Sequence, residues 1–366
     1  MAANFESKKI LYAASTESHL KNFHMPYIAE LRKKNRVFTM ATGNAVDFSI
    51  AFHKSFFSFG NLKSILRIRS ILKRERFDAV ILHTTLAAFL IRAAMIGLRR
   101  RPFVLNVVHG YLFPSKPKRL SDRILLLCES LLRGKTDEIA VMNAEDLLIA
   151  TEHKLCCGRV FSIRGMGITL SDVVPDKDLT LRASLVGHGP AFVCGFVGEL
   201  SRRKNQMFLI HAVSKLRERG IPIQLLLIGE GGLRETLEKE IATLGLKDVI
   251  HLCGARSPIL PYLSVIDLYL SASISEGLPF NVMEAMSCGL PIVASNTKGQ
   301  VDLLGGTEAV LYPASDMDAF CDAVEQVYQS KRYGVGSVIY PEISNYRLDA
   351  VFEENIQQFT VGMELL

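Results

Sequence analysis

Short apolar runs separated by helix-periodic segments dominate the chain. Residues 10–14, 37–41, 79–83, 103–108, 139–142 and 160–163 read as strands, several too continuously apolar to leave one face in water. Behind the first run, Phe23, Met25, Ile28 and Leu31 recur at helical spacing. A second series opens at 191–197 and continues through 223–228, 249–252, 267–270 and 292–294. Strands alternating with helices predict parallel sheets and the α/β class. Between the two series, 165–168 and the polar stretch 171–178 read as a linker. The pattern therefore predicts two Rossmann-like domains, residues 1–170 and 171–345, with a further helix over 346–359.

One stretch concentrates chemistry: Ser275 to Ser295, SEGLPFNVMEAMSCGLPIVAS. Glu276 and Glu284 have seven residues between them. Glu276 precedes a short helix that Gly289 and Pro291 end, and Glu284 lies within it. The backbone around Gly277, Leu278, Pro279, Phe280 and Asn281 forms the helix start, where amide groups favour an anion. Two carboxylates beside an anion site suit a diphosphate flanked by hydroxyl-rich rings, as in a nucleotide sugar.

Composition narrows the alternatives. At 366 residues and 49% hydrophobic content the chain has material for two cores. No apolar run approaches about 18 residues, so no transmembrane helix is expected, and residues 1–9 lack a signal-peptide core. Seven cysteines without a CxxC spacing point to reduced thiols in a cytoplasmic setting. The net charge of +6 is unevenly spread: residues 1–170 carry 27 Lys and Arg against 13 Asp and Glu, the remainder 16 against 24. The basic half suggests an anionic partner, either nucleic acid or a membrane. A nucleic-acid role lacks a motif or an aromatic stacking platform. The segment 61–76 is amphipathic, with Leu62, Ile65, Leu66, Ile68 and Leu72 on one side and Lys63, Arg67, Arg69, Lys73, Arg74 and Arg76 on the rest. It reads as a solvated helix or as one lying on an anionic bilayer. Arg99–101 and Lys116, Lys118 and Arg119 add two basic clusters.

The E-x7-E spacing followed by A-x-x-C-G-x-P-I-V resembles the signature of the retaining glycosyltransferases of family 4. The form S-H-x-x-x-F-H-x-P-Y after the first strand is similar to that of bacterial exopolysaccharide enzymes. The resemblance implies the GT-B fold, two Rossmann-like domains facing across a cleft, with helix 346–366 completing the first. It implies that Glu284 binds the ribose, that Glu276 lies near the donor sugar, and that the backbone from Gly277 to Asn281 holds the diphosphate. Lys204, in the loop Gly198 to Asn205, matches a diphosphate-binding lysine. Glu199 stands where many members have an arginine, which leaves Arg203 as the substitute. The loop carrying Arg256 would frame the nucleobase. His109, in V-H-G after the strand 103–108, matches a histidine near the attacked carbon; a histidine in a strand is often only a buried hydrogen-bonded ring, but its place before Gly110 favours the functional role. His19 and His24 would contact the acceptor or the donor phosphates, or only support their loop.

The implied reaction is transfer of a hexose or N-acetylhexosamine from a UDP-sugar to a saccharide acceptor, lipid-linked in the surface polysaccharide setting. The enzyme would work at the inner face of the cell membrane, without nucleic acid, cofactor or metal. Asp316 and Asp318 superficially match a metal-binding D-x-D, but the apolar spacing after them predicts a helix start. Two other readings remain: a GT-B sugar-nucleotide 2-epimerase, for which the first half shows no acid/base carboxylate cluster, and a non-catalytic nucleotide-sugar-binding protein.

Overall fold

A computed structural model describes residues 7–53, 58–171 and 174–364. Residues 1–6, 172–173 and 365–366, which belong to the N-terminal stretch, linker and last helix discussed above, lie outside the described residues. The chain divides into two compact units: residues up to Gly167 together with those from Asn345 onward, and Ile168–Ser344.

The first unit holds strands β1 (Lys9–Thr16), β2 (Arg36–Thr42), β3 (Phe48–Ser49), β4 (Ala79–His83), β5 (Phe103–Val108), β6 (Glu138–Val141) and β7 (Val160–Ser162). They form one parallel sheet in the order β3-β2-β1-β4-β5-β6-β7. Central strands β1 and β4 are almost wholly buried, as their continuous apolar runs require. The second unit holds β8 (Phe192–Val197), β9 (Ile223–Ile228), β10 (Ile250–Gly254), β11 (Leu268–Ser271), β12 (Ile292–Ser295) and β13 (Val310–Tyr312). Its parallel sheet runs β10-β9-β8-β11-β12-β13. In each sheet the order reverses once, between β1 and β4 and between β8 and β11. Ligands of doubly wound sheets bind at the carboxyl ends of strands at that point.

The last helix, Leu348–Glu364, belongs to the first unit. Its Asn355 donates through Nδ2 to the Tyr27 hydroxyl at 3.0 Å and to the Gly165 carbonyl at 2.8 Å. Gly167 sits at φ +76°, and a Cβ there would come within 2.5 Å of Leu348 Cα, so the turn and the helix approach both need glycine.

The basic amphipathic helix spans Phe59–Glu75, and Arg76 closes it in the left-handed region at φ 50°. Its inward face differs from the expected one. Ile68, Ile71 and Leu72 are buried, but so are Asn61 and Ser64, whereas Leu62 and Leu66 stand 57% and 61% exposed. The cause is hydrogen bonding. Asn61 Nδ2 donates to the His53 carbonyl at 3.0 Å and Ser64 Oγ to the Ala51 carbonyl at 2.7 Å, which turns that side inward. Arg69 is also not a free surface charge: its guanidinium donates to the Ala94 and Ile96 carbonyls at the end of helix Thr85–Ala94. On that helix's other side, one guanidinium nitrogen of fully buried Arg92 donates to both carboxylate oxygens of Glu129 in helix Leu120–Leu131, each at 2.9 Å.

Asp316 caps helix Met317–Ser330 by accepting from the Ala319 amide, and Asp318 pairs with Lys215. Both aspartates thus have helix-start roles. Among the described residues no helix is long and apolar enough to cross a membrane.

Candidate functional site

In the second unit, adjacent strands β8 and β11 deliver the two charged segments to one place. The loop after β8 carries Arg203 and Lys204, and the loop after β11 carries Glu276. Lys204 Nζ donates to Glu276 Oε1 at 2.6 Å and Arg203 NH1 to Glu276 Oε2 at 2.6 Å. Lys204 and Glu276 are buried, while the Arg203 side chain is 42% exposed. Burial pushes the Glu276 carboxyl up, but Lys204 and Arg203 outweigh it and hold the group below the usual carboxylate range. Two cations meet this one carboxylate, with Glu199 adding a weaker negative influence at Lys204. Glu276 therefore does not stand open as a simple hydroxyl acceptor, contrary to the plain reading of the spacing.

Helix Phe280–Ser287 opens behind that pair, with Pro279 at its cap and no side-chain cap bond. Val282, Met283, Ala285 and Met286 are buried beneath it, the inward set the sequence predicts. Asn281 turns its amide inward too: Nδ2 donates to the Val197 carbonyl at 2.7 Å and to the Tyr269 hydroxyl at 2.8 Å. This fastens the helix start to the ends of β8 and β11. Gly299 lies against the same loop at φ +72°, where a Cβ would fall 2.3 Å from the Gly277 carbonyl oxygen.

Glu284, one helical turn on, is half-buried, and its carboxyl has no hydrogen-bond or ion-pair partner among the described residues. Burial raises its carboxyl to about 7. A partnerless carboxyl in that setting is a ready hydroxyl acceptor. Arg256 is exposed in the loop after β10, its guanidinium 5.5 Å from the Tyr262 ring centroid. Leu278 and Pro279 are buried and Phe280 half-buried.

The first unit gathers four histidines at its own reversal point. His19 and His24 follow β1, His83 ends β4 and His109 follows β5. His83 Nδ1 lies 3.1 Å from His109 Nε2, and His24 Nδ1 lies 3.0 Å from the Tyr12 hydroxyl. Ring centroids of His24 and His83 are 4.0 Å apart, and those of His19 and His109 are 5.1 Å apart. Burial depresses all four, His19 to about 4 and His109 to about 3, so the rings are neutral near pH 7. His24 is buried, whereas His19 and His109 are half-buried. Among the described residues, His19, His24 and His109 bring their ligand atoms within 4.8 Å of one another, close enough to gather around a metal ion. His83 and Tyr12 were not singled out from the sequence. A histidine ending a buried strand at the carboxyl edge of a sheet is the signal that would have found His83.

The sequence profile for glycosyl transferases group 1 matches residues 191–330, the greater part of the second unit. EpsD of Bacillus subtilis (strain 168), named as a glycosyltransferase, is 28% identical over 334 residues, 88% of this chain and 88% of that protein. The UDP-Gal:alpha-D-GlcNAc-diphosphoundecaprenol alpha-1,3-galactosyltransferase of Escherichia coli is 27% identical over 279 residues, 74% of this chain and 71% of that one. Among solved structures, Anabaena HepE in complex with UDP and glucose superposes with a TM-score of 0.73 at 18% identity, covering 96% of this chain and 99% of that one.

Proposed function

The chain is a group 1 glycosyltransferase of the GT-B fold, similar to bacterial exopolysaccharide enzymes, and from that premise we propose that it moves a hexose or N-acetylhexosamine from a UDP-sugar to a saccharide acceptor with retention at the anomeric carbon. The observation that carries the reading is the cluster of Lys204 and Arg203 on Glu276 beside the start of helix Phe280–Ser287. The pair of cations exceeds the charge of its carboxylate. A diphosphate arriving there draws Lys204 toward itself while Arg203 keeps Glu276 neutralised. Departure of UDP builds negative charge on that diphosphate, and a fixed cation with a helix start stabilises it most in the transition state. Glu284 takes the ribose hydroxyls as a carboxylate. Arg256 frames the nucleobase and Glu276 binds on the donor-sugar side, while His109 keeps the catalytic role that its V-H-G motif implies. The leaving phosphate serves as the base that deprotonates the acceptor on the face of departure. This scheme gives no step to a metal, so turnover should survive EDTA.

HepE's complex with UDP and the UDP-Gal donor of the Escherichia coli relative support the choice of nucleotide. That relative's diphosphoundecaprenol-linked acceptor supports a lipid-linked saccharide here. The first unit offers a surface for it. Arg69 ties helix Phe59–Glu75 to Thr85–Ala94, and Arg92 ties the latter to Leu120–Leu131. The outer helices expose apolar residues, Phe59, Leu62 and Leu66 on one and Leu120, Ile124, Leu127 and Leu131 on the other. The latter four follow helical spacing along a single stripe. Exposed Lys63, Arg67, Lys73, Lys116, Lys118, Arg119 and Arg123 flank them. An apolar surface rimmed by cations suits the inner, anionic face of the cell membrane, each cation contributing about 1 kcal/mol near the surface.

Two measurements test the reading. Mass spectrometry of nucleotides retained by the purified protein should find UDP or a UDP-sugar, and another nucleotide in its place would reject the donor assignment. Sedimentation should find the protein with anionic but not neutral liposomes. Leu127→Ser with Leu131→Ser, or Arg67→Glu with Lys73→Glu, should release it. Wild-type protein that ignores anionic liposomes would reject the membrane assignment.

A further inference from the structure

The histidine cluster of the first unit contains more unsatisfied nitrogen than a packed core tolerates. Nε2 of His19, of His24 and of His83 are each buried without a hydrogen-bond partner among the described residues. An unmet buried polar atom is costly and calls for an explanation. His24 and His83 are wholly buried, so whatever meets these nitrogens is small.

Two of the ring contacts prepare the cluster for a cation. If the Tyr12 hydroxyl accepts from His24 Nδ1–H, the His24 Nε2 lone pair is left free. If His83 Nδ1 accepts from His109 Nε2–H, the His109 Nδ1 lone pair is left free. A partner on one ring nitrogen that fixes the other for a metal is the usual support of a metal-bound histidine. His19 Nε2 supplies the third lone pair. We propose that His19, His24 and His109 form a binding site for a divalent transition-metal ion of the zinc class. Neutral imidazoles select such ions over magnesium or calcium, which prefer oxygen. With metal–nitrogen bonds of about 2.0–2.1 Å, tetrahedral ligand nitrogens stand roughly 3.4 Å apart, so the three need only rotate inward from their present spacing.

The site has a consequence that rests on the function proposed above. A bound ion occupies the His109 lone pair that its proposed catalytic role needs, so zinc inhibits transfer and a chelator restores it. This is a different role from a cation on the diphosphate, which belongs to the second unit.

The probe is cobalt(II), added to protein stripped of metal. One equivalent per chain should bind, with the visible bands of a four- or five-coordinate ion, and one equivalent of zinc should displace it. His19→Ala should weaken binding at least about tenfold, the smallest loss expected even for a residue that only supports a ligand. Its metal-free melting temperature, matching that of wild type, shows that the fold is kept. His19→Ala with His109→Ala should abolish the bands. The site is refuted if wild type shows no such bands or if the double variant binds cobalt as wild type does. It is also refuted if inorganic phosphate, and not cobalt, shifts the histidine ring signals by NMR, which would make the cluster an anion site. Cobalt bound at the site with no effect on transfer overturns the inhibition. Cobalt binding in a protein that turns over no nucleotide sugar supports the site and counts against the proposed function.

Discussion

Raising the pH from 6 to 8 should tighten UDP binding about two- to sevenfold through one carboxyl group. The Glu284 carboxyl is half-buried and without a partner among the described residues, and burial alone lifts it to about 7. At pH 6 roughly one molecule in eleven carries the carboxylate, and at pH 8 about ten in eleven do. A ribose hydroxyl bonded to a carboxylate gains about 1.5–3 kcal/mol, against about 1 for a neutral acceptor, so the ionised form is the better binder. The protonated form still binds weakly, which keeps the change below tenfold. UDP's terminal phosphate also loses a proton near pH 6, as phosphate monoesters do. Glu284→Gln is therefore the control, since it retains the ligand's titration and loses the protein's. Calorimetry with UDP at pH 6, 7 and 8 and constant ionic strength reads the difference. Identical pH profiles for wild type and Glu284→Gln would refute the ribose role.

Further expectations follow from the same structure. The carboxyl of Glu284 rises from 4.5 to about 7 on folding, so its stabilising effect is full below 4.5 and lost as pH rises through 7; Glu284→Gln should raise the unfolding free energy from urea titration by up to about 3 kcal/mol at pH 8 and leave it nearly unchanged at pH 4. Arg92→Leu leaves Glu129 buried and unpaired and should cost about 3–5 kcal/mol of stability in denaturant unfolding, most of it recovered by adding Glu129→Leu; no recovery would mean packing, not charge, dominates. His109→Ala should lower kcat far more than it weakens UDP binding, and a variant with full turnover would reduce His109 to a core ring.

The fold was legible wherever a run was apolar throughout. Residues 79–83, 103–108 and 223–228 match the bounds of β4, β5 and β9, because central parallel strands leave no polar position to blur the ends. The two-residue β3 and the three-residue edge strand β13 escaped, being too short for periodicity to register. Helix Phe59–Glu75 is legible and so is part of its inner face: Ile68 and Leu72 turn inward as the pattern predicts, and Leu62 and Leu66 do not. Apolarity favours Leu62 and Leu66 inward, and only the bonds of Asn61 and Ser64 to a neighbouring segment reverse that choice. At the site, Glu276 and Lys204 were legible as motif residues, but not as partners. They stand 72 residues apart, and their meeting depends on β8 lying beside β11. The histidine cluster shows the same limit, since sheet order alone joins His19, His24, His83 and His109.

The central claim is transfer from a UDP-sugar with retained configuration. Its most direct test incubates the protein with a panel of UDP-hexoses and N-acetylhexosamines and a diphospholipid-linked sugar acceptor. UDP release is followed together with the NMR coupling of the new anomeric proton. The account predicts acceptor-dependent UDP release from one such donor and a product of the donor's own anomeric configuration. An inverted product, conversion of the donor at C2 without transfer, or no turnover of any nucleotide sugar would contradict it.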